Sequence, residues 1–126
     1  GELKGLAAQG QVGTGNQVQF GAFTITGAPR KVLIRGLGPA LDKFIPGAIR
    51  NPQIALSLNG APTPIETNDD WADADNAAEI IALNHQPKNP TESAILRTLE
   101  PGIYNVHLSG SGGTTGIGMF QVHTVE

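Results

Sequence analysis

Short runs in which apolar and polar residues alternate recur along the chain and predict β-strands. The predicted strands are residues 17–26, 31–35, 53–58, 61–67, 93–99, 102–109 and 116–125, with residues 3–8 as an additional edge strand. Asn59-Gly60 is a strong turn signal between two of these runs. It predicts a tight hairpin that joins residues 53–58 to residues 61–67.

One segment departs from the strand pattern. Residues 76–84 read NAAEIIALN, and Ile80, Ile81 and Leu83 form a short apolar face. Asn76 followed three residues later by Glu79 resembles a capping box, in which each side chain satisfies a backbone N–H at the start of a helix. We therefore predict one short helix inserted between strands.

The spacing of turns indicates the fold class. Turn signals recur about every 8–12 residues, which is typical of a sandwich and unlike a parallel α/β sheet. We predict an all-β fold, an antiparallel β-sandwich of jelly-roll-like type with one short helical insert. Residues 1–126 form a single domain in this prediction, and residues 1–10 supply an edge strand or a strand donated to a neighbour.

Composition narrows the class of protein. Gly and Pro account for 26 of 126 residues, and only 15% of residues are charged, which fits a turn-rich domain. With no cysteine the chain has no disulfide and no thiolate chemistry. A net charge of −3 argues against nucleic-acid binding. Because the apolar runs are short, we expect no membrane insertion.

The negative charges are concentrated in one part of the chain. Residues 51–87 contain no Lys or Arg and carry −6, whereas the rest of the chain carries +3. The six carboxylates are Glu66, Asp69, Asp70, Asp73, Asp75 and Glu79. Clustered carboxylates repel one another unless a cation or hydrogen-bond donors lie among them.

A calcium ion suits a loop of flexible carboxylates, because it takes six to eight oxygen ligands. Asn68, Asp69 and Asp70 offer side-chain oxygens, Asp73 lies in the same cluster, and Thr67 or Trp71 can add a backbone carbonyl. The alternative is a solvated acidic loop whose charges favour the start of the predicted helix. The spacing is not that of an EF-hand, because Trp71 stands where that motif needs an oxygen ligand.

No catalytic constellation is visible, and we predict that the chain is not an enzyme. A glycosidase pair needs one carboxylic acid with a raised pKa in a cleft, which the NDDW loop does not suggest. Ser111 lies in SGSGG, which departs from the nucleophile motif G-x-S-x-G and predicts a hairpin tip. His107 and His123 fall on the polar phase of their strands and would approach each other only if those strands pair.

The aromatic residues give little support for sugar binding. Trp71, the only Trp, is expected to plug the core at the edge of the sandwich. Sugar binding favours an exposed aromatic strip, and most of the six aromatic residues are needed for the core. A carbohydrate-binding or partner-binding module is therefore the second interpretation.

Several sequence blocks, taken in order, resemble a β-sandwich repeat domain of bacterial secreted and cell-surface proteins. The blocks are VGTG (12–15), VLIRGLGP (32–39), NDDW (68–71), ESAI (92–95), TLEPGIY (98–104) and TGIG (115–118). The resemblance covers nearly the whole chain. It implies an extracellular or cell-surface location, no enzymatic activity and tandem occurrence in large exported chains.

The second half is also similar, more distantly, to the bacterial pre-peptidase C-terminal β-sandwich. That family pairs an N-D-D loop with a later P-G-x-Y strand and often holds calcium. The resemblance implies that Asn68, Asp69 and Asp70 are ligands and that Glu92 is a distant partner, although Trp71 departs from the small residue of that family. Glu92 alternatively pairs with Arg97 or Arg35.

These observations predict an extracellular structural module, stabilised by calcium, that builds a surface fibre, a matrix or a tandem-repeat stalk. Low charge and the lack of a catalytic set favour this class. The expected partner is the chain itself, through addition of residues 3–8 to an open sheet edge of a neighbour. Surface glycans are the expected ligands under the second interpretation.

Overall fold

The computed structural model of the protein describes residues 5–12, 19–44 and 46–125. In these residues eight strands form two four-stranded sheets, and one α-helix lies between the fifth and sixth strands. The strands are β1 (Gly5–Val12), β2 (Gln19–Ile25), β3 (Arg30–Leu37), β4 (Pro52–Leu58), β5 (Glu66–Asn68), β6 (Ser93–Leu99), β7 (Gly102–Gly110) and β8 (Gly116–Thr124). The helix is α1 (Ala77–Ala82).

The order of the strands defines the topology. The first sheet has the order β1-β8-β3-β6 and the second has the order β2-β7-β4-β5. All these neighbours are antiparallel, and apart from β4 and β5 consecutive strands lie in opposite sheets. This is the arrangement of an eight-stranded jelly roll. The predicted β-sandwich with one short helical insert is confirmed.

The main core lies between the sheets, where β2, β3, β4, β6, β7 and β8 contribute apolar side chains. Apart from Ile49, which precedes β4, its buried residues lie on these strands: Phe23, Ile25, Val32, Ile34, Ile49, Ile54, Leu56, Ile95, Leu99, Tyr104, Val106, Leu108, Phe120 and Val122. The sheets approach closely at Gly21, where an added Cβ would lie 2.4 Å from the ring of Phe120. Glycine is required at this position because any side chain would displace that ring.

A second cluster covers the outer face of the first sheet. Ile80 of α1 packs on Leu33, Ala94, Leu96 and Val125, and all five side chains are buried. This cover explains why the consecutive residues 93–96 are all buried, since both faces of β6 lie against protein at that point. The connection between β5 and β6 is thus part of the core as well as a link between the sheets.

The strand predictions agree with the structure to within four residues, except after β4. Residues 3, 4, 17 and 18 of the predicted strands lie outside the described residues. The predicted turn forms at Asn59-Gly60, where Ala61 N–H donates to the Leu58 carbonyl at 2.9 Å. However, the return strand begins only at Glu66, whereas residues 61–67 had been expected to pair. Pro62 and Pro64 explain the delay, because proline has no N–H to donate to a ladder.

The helix is shorter than predicted, and its capping box does not form. Residue 76 is the N-cap but makes no side-chain cap bond. Instead the Asn76 amide donates to the Leu96 carbonyl at 2.8 Å, and Glu79 forms an ion pair with Lys31. Tertiary contacts with β3 and β6 have replaced the local bonds. No helix in the described part of the chain is long and apolar enough to cross a membrane.

Candidate functional site

The acidic loop (residues 69–75) connects β5 to the segment that leads into α1. Within it, residues Trp71–Asp73 form one short 3-10 turn. The Trp71 N–H donates to the Glu92 carbonyl at 2.9 Å, and its partly buried ring packs against the second cluster. Trp71 therefore acts as the predicted plug at the edge of the sandwich and anchors the loop.

Asn68 ties the start of the acidic loop to the first sheet. Its amide nitrogen donates to the Asp70 carbonyl at 3.1 Å, and its side-chain oxygen accepts from the Ala94 N–H at 3.0 Å. The amide oxygen of Asn68, which is predicted to bind a cation, thus accepts a hydrogen bond from a backbone N–H of β6. Asn68 fixes the loop geometry in this structure.

Asp69, Asp70 and Asp73 lie close enough to influence one another electrostatically. The pKa of the Asp70 carboxyl is raised, first by desolvation and then by the negative charges of Asp69 and Asp73. Asp69 also accepts a hydrogen bond from the Ser111 hydroxyl at 2.9 Å. Sequence analysis did not predict a role for Ser111 at this site, because nothing local links two residues 42 positions apart.

The hydrogen bonds of Glu92 go to residues outside this cluster. It has no exposed surface, and one carboxylate oxygen accepts from the N–H groups of Gly38 and Ala40 at 2.9 and 2.8 Å. The other oxygen accepts from the N–H and side-chain amide of Asn89 at 3.3 and 3.4 Å. Glu92 therefore holds two loops together by their backbone, a role that sequence analysis did not predict.

The structure also shows the partners of Arg97 and Arg35, the two arginines named as alternative ion-pair partners of Glu92. Arg97 pairs with Glu66 at 3.0 Å. Burial lowers the pKa of Arg35, and the negative charge of Glu92 opposes that shift. Arg35 is therefore an electrostatic neighbour of Glu92, while the hydrogen bonds of the carboxylate go to the backbone.

An open depression of about 640 Å³ lies between the acidic loop and β6. Its lining includes Glu66, Asn68, Asp73, Asp75 and Arg97. Across residues 5–12, 19–44 and 46–125, no three His, Cys, Asp or Glu side chains are grouped so that they could hold a metal ion. The structure thus brings Asp69, Asp70 and Asp73 near one another and does not gather all five predicted ligands around one point.

The condition under which His107 and His123 would approach each other, pairing of their strands, is not met. His107 lies on β7 in the second sheet and His123 on β8 in the first, so their strands do not pair. For the same reason Ser111, between these strands, lies in a connection between sheets and not at a hairpin tip. The pKa of His123 is lowered by burial and, less strongly, by the positive charge of Arg35 and by His85.

The aromatic residues divide between core and surface. Phe23, Tyr104 and Phe120 belong to the main core, whereas Phe20 and Phe44 are 57% and 80% exposed. Phe20 meets the ring of His107 edge to face, with 4.9 Å between ring centroids. Three of the six aromatic residues thus lie in the main core, Trp71 packs against the second cluster, and two phenylalanines are exposed at the surface.

Comparison with known proteins shows the fold and no closer relationship. No protein-family model and no curated protein matches the chain. A solved structure with a similar fold is the pre-peptidase C-terminal domain of a collagenase from Bacillus anthracis. The two have a TM-score of 0.58 and 11% sequence identity, over 94% of this chain and 89% of that domain.

Proposed function

We propose that the chain is a non-catalytic, extracellular structural module that assembles with copies of itself into a surface fibre, a matrix or a tandem-repeat stalk. Strand β1 forms the joint, and calcium at the acidic loop stabilises the module. The fold shared with the domain of the Bacillus anthracis collagenase supports the class of module and its extracellular location.

The position of β1 carries the proposal. Among the described strands, β1 lies at the edge of the first sheet and pairs with β8 alone. Eight residue pairs form this ladder, from Gly5 with His123 to Val12 with Gly116. The β1 strand of a second copy has the same sequence and can pair with β8 in the same register. Exchange of this strand between copies therefore preserves every backbone hydrogen bond of the ladder.

The acidic loop supports calcium binding through its uncompensated charge. The pKa of Asp70 is raised first by desolvation and then by the negative charges of Asp69 and Asp73, so this carboxylate experiences repulsion from its two neighbours. A bound cation removes that repulsion and stabilises the loop that Trp71 anchors to the first sheet.

The absence of native cysteine allows a direct test by engineered disulfides. Gln11 and Ile117 are paired across the β1–β8 ladder. Their Cα atoms are expected about 4.5–5.5 Å apart, a separation that a disulfide spans. We expect oxidised Gln11→Cys/Ile117→Cys protein to run as a covalent ladder on a non-reducing gel, because the pairing crosses between chains.

The control carries Gln11→Cys with Asn105→Cys, which lies on β7 in the opposite sheet, and it should give no specific ladder. Circular dichroism verifies that both variants fold. If the Gln11–Ile117 bond forms only within one chain at every protein concentration, the exchange of β1 is refuted.

A second candidate function is glycan binding, and the exposed face of the second sheet favours it. Phe20, in edge-to-face contact with His107, provides an apolar platform beside the polar side chains of Ser57 and Asn105. Phe20→Ala should abolish any signal on a glycan array, whereas Phe44→Ala, which removes the other exposed phenylalanine, should leave it unchanged. An array without a Phe20-dependent signal rejects this function.

A further inference from the structure

A groove of about 880 Å³ opens on the outer face of the first sheet, at the surface formed by β3 and β8. Arg35 of β3 and Met119 and Gln121 of β8 belong to its lining. Residues 39–44 and 87–89 also line it, from the turn after β3 and the segment before β6. The groove is distinct from the acidic loop, and its β8 residues Met119 and Gln121 pair with Gln9 and Ala7 of β1 in the β1–β8 ladder.

Much of the groove lining is apolar. Leu37 and Leu41 are buried in a small cluster against which Met119 packs, and this cluster forms part of the lining. Phe44, also in the lining, is 80% exposed. A ligand that fits here therefore needs an apolar body that covers these side chains.

The charged residues of the lining are predominantly positive. Arg35, Lys43 and Lys88 line the groove, and Asp42 is the one acidic residue among its described lining. Asp42 forms an ion pair with Arg50, whose guanidinium donates hydrogen bonds to its carboxylate. The buried carboxylate of Glu92 is also close to Arg35. It accepts hydrogen bonds from backbone N–H groups. The groove thus presents positive charge that no carboxylate of its own lining neutralises.

Arg35 is only partly satisfied within the protein. Its guanidinium donates to the Gln121 side-chain oxygen and, at 3.4 Å, to the His85 carbonyl. Its buried Nε–H has no acceptor. Because guanidinium groups bind carboxylates with strong, charge-assisted hydrogen bonds, a carboxylate can replace the long contact to His85.

We propose that this groove binds a small amphiphilic carboxylate, with the carboxylate at Arg35 and the apolar body along Leu37, Leu41 and Met119. The volume agrees with this class, since small-molecule sites span about 300–1,000 Å³ and combine apolar walls with a few polar groups. Lys43 and Lys88 attract the anion to the groove. The inference is independent of the assembly proposed for β1.

Titration of the ¹³C,¹⁵N-labelled protein with sodium octanoate, monitored by NMR, tests the proposal. We expect saturable shifts of the Met119 methyl and the Gln121 side-chain amide signals. 1-Octanol and octylammonium serve as probes with the same apolar body, and both should bind at least tenfold more weakly than octanoate.

Two variants separate binding from folding. Arg35→Gln should weaken octanoate binding at least tenfold. Lys43→Gln/Lys88→Gln changes only exposed side chains and should weaken binding with no change in the melting temperature. Arg97→Gln is the matched control, because Arg97 pairs with Glu66 outside the groove, and octanoate affinity should be unchanged.

Three outcomes overturn the proposal. Octanoate that causes no saturable shifts shows that the groove does not bind this class. Octanol that binds as tightly as octanoate shows that the positive charges play no part. Concentration-dependent signals of Phe44 and Lys88, which lie outside the β1–β8 ladder, in the absence of any probe show that a second copy of the chain covers this surface.

Discussion

Glu92 illustrates how a single side chain organises the end of the sandwich. Two backbone segments, around Gly38 and around Asn89, donate N–H groups to its buried carboxylate. Gly38 must approach closely for this, and an added Cβ there would lie 2.0 Å from the Ile49 carbonyl oxygen. The same two segments contribute to the lining of the groove, so Glu92 supports the groove from within.

Replacement of Glu92 by alanine should therefore destabilise the protein strongly. Glu92→Ala leaves the buried N–H of Gly38 and the partly buried N–H of Ala40 without an acceptor, which costs about 3 kcal/mol in the free energy of unfolding. Urea denaturation measures this loss, and hydrogen exchange should show faster exchange at both amides. Glu92→Gln keeps an acceptor oxygen and should lose less.

Glu100→Ala is the control for Glu92→Ala, because residue 100 is exposed. It should change stability by no more than about 0.5 kcal/mol. Equal stabilities of the Glu92→Ala and Glu100→Ala variants would contradict the role given to the buried carboxylate.

The connection between β5 and β6 shows how one element combines packing with charge. Its apolar residues, Trp71 and Ile80, seal the outer face of the first sheet. Its carboxylates then lie together at the surface of the acidic loop, where the pKa of Asp70 is raised by desolvation and by Asp69 and Asp73. A raised pKa means that ionised Asp70 opposes folding above its ordinary pKa and that this effect fades as the pH falls.

We accordingly expect Asp70→Asn to change the loop in two opposite ways. Without calcium at pH 7, the substitution removes repulsion and should raise the melting temperature. With millimolar calcium, the wild type should gain stability, by about 2.7 kcal/mol at a hundredfold excess over the Kd, whereas Asp70→Asn should gain little.

Asp75→Asn, in the same loop, is the control and should retain the calcium response. Thermal melts with calcium and with a chelator measure both effects. A wild-type melting temperature that calcium leaves unchanged would show that the loop is a solvated acidic surface.

At the scale of the whole molecule, the two sheets have different surroundings. The first sheet is covered by α1 and the acidic loop, and its remaining outer surface carries the groove. His123 lies on this covered face, where burial lowers its pKa with further contributions from Arg35 and His85. The second sheet exposes Phe20 on its outer face.

The lowered pKa of His123 predicts how global stability depends on pH. The unfolded chain binds this proton near pH 6.5 and the folded chain only at lower pH, so stability is retained above 6.5 and lost as the pH falls below it. Between pH 7.5 and 5.5 the melting temperature should fall more for the wild type than for His123→Gln. Parallel curves for the two proteins would exclude His123 as the cause.

Strand positions and the short helix followed from local patterns, because the alternation of apolar residues is a property of neighbouring positions. The same reasoning overestimated the return strand after Asn59-Gly60, where Pro62 and Pro64 interrupt pairing. It also predicted a capping box at Asn76, whose amide instead serves β6. The prolines lie within the predicted strand and are visible in the sequence, whereas the bond from Asn76 to β6 depends on the fold.

The candidate site was predictable in part. The charge pattern located the acidic loop, and Asp69, Asp70 and Asp73 indeed lie near one another. Glu92 was assigned to the same site from resemblance, but its oxygens serve backbone N–H groups 52 and 54 positions away. The groove around Arg35 had no counterpart in the sequence patterns, since its walls come from three separate segments of the chain.

Local sequence patterns are sufficient to predict the fold class, the approximate strands, the helical insert and the acidic loop, because each depends on residues that are adjacent or regularly spaced. Three features appear only in the folded chain: which strands share a sheet, which carboxylates lie together and where Arg35 meets its neighbours. These features depend on contacts between distant segments, such as Ser111 with Asp69 and Glu92 with Gly38. Such contacts form only when the two sheets close over their common core, and local patterns do not encode them.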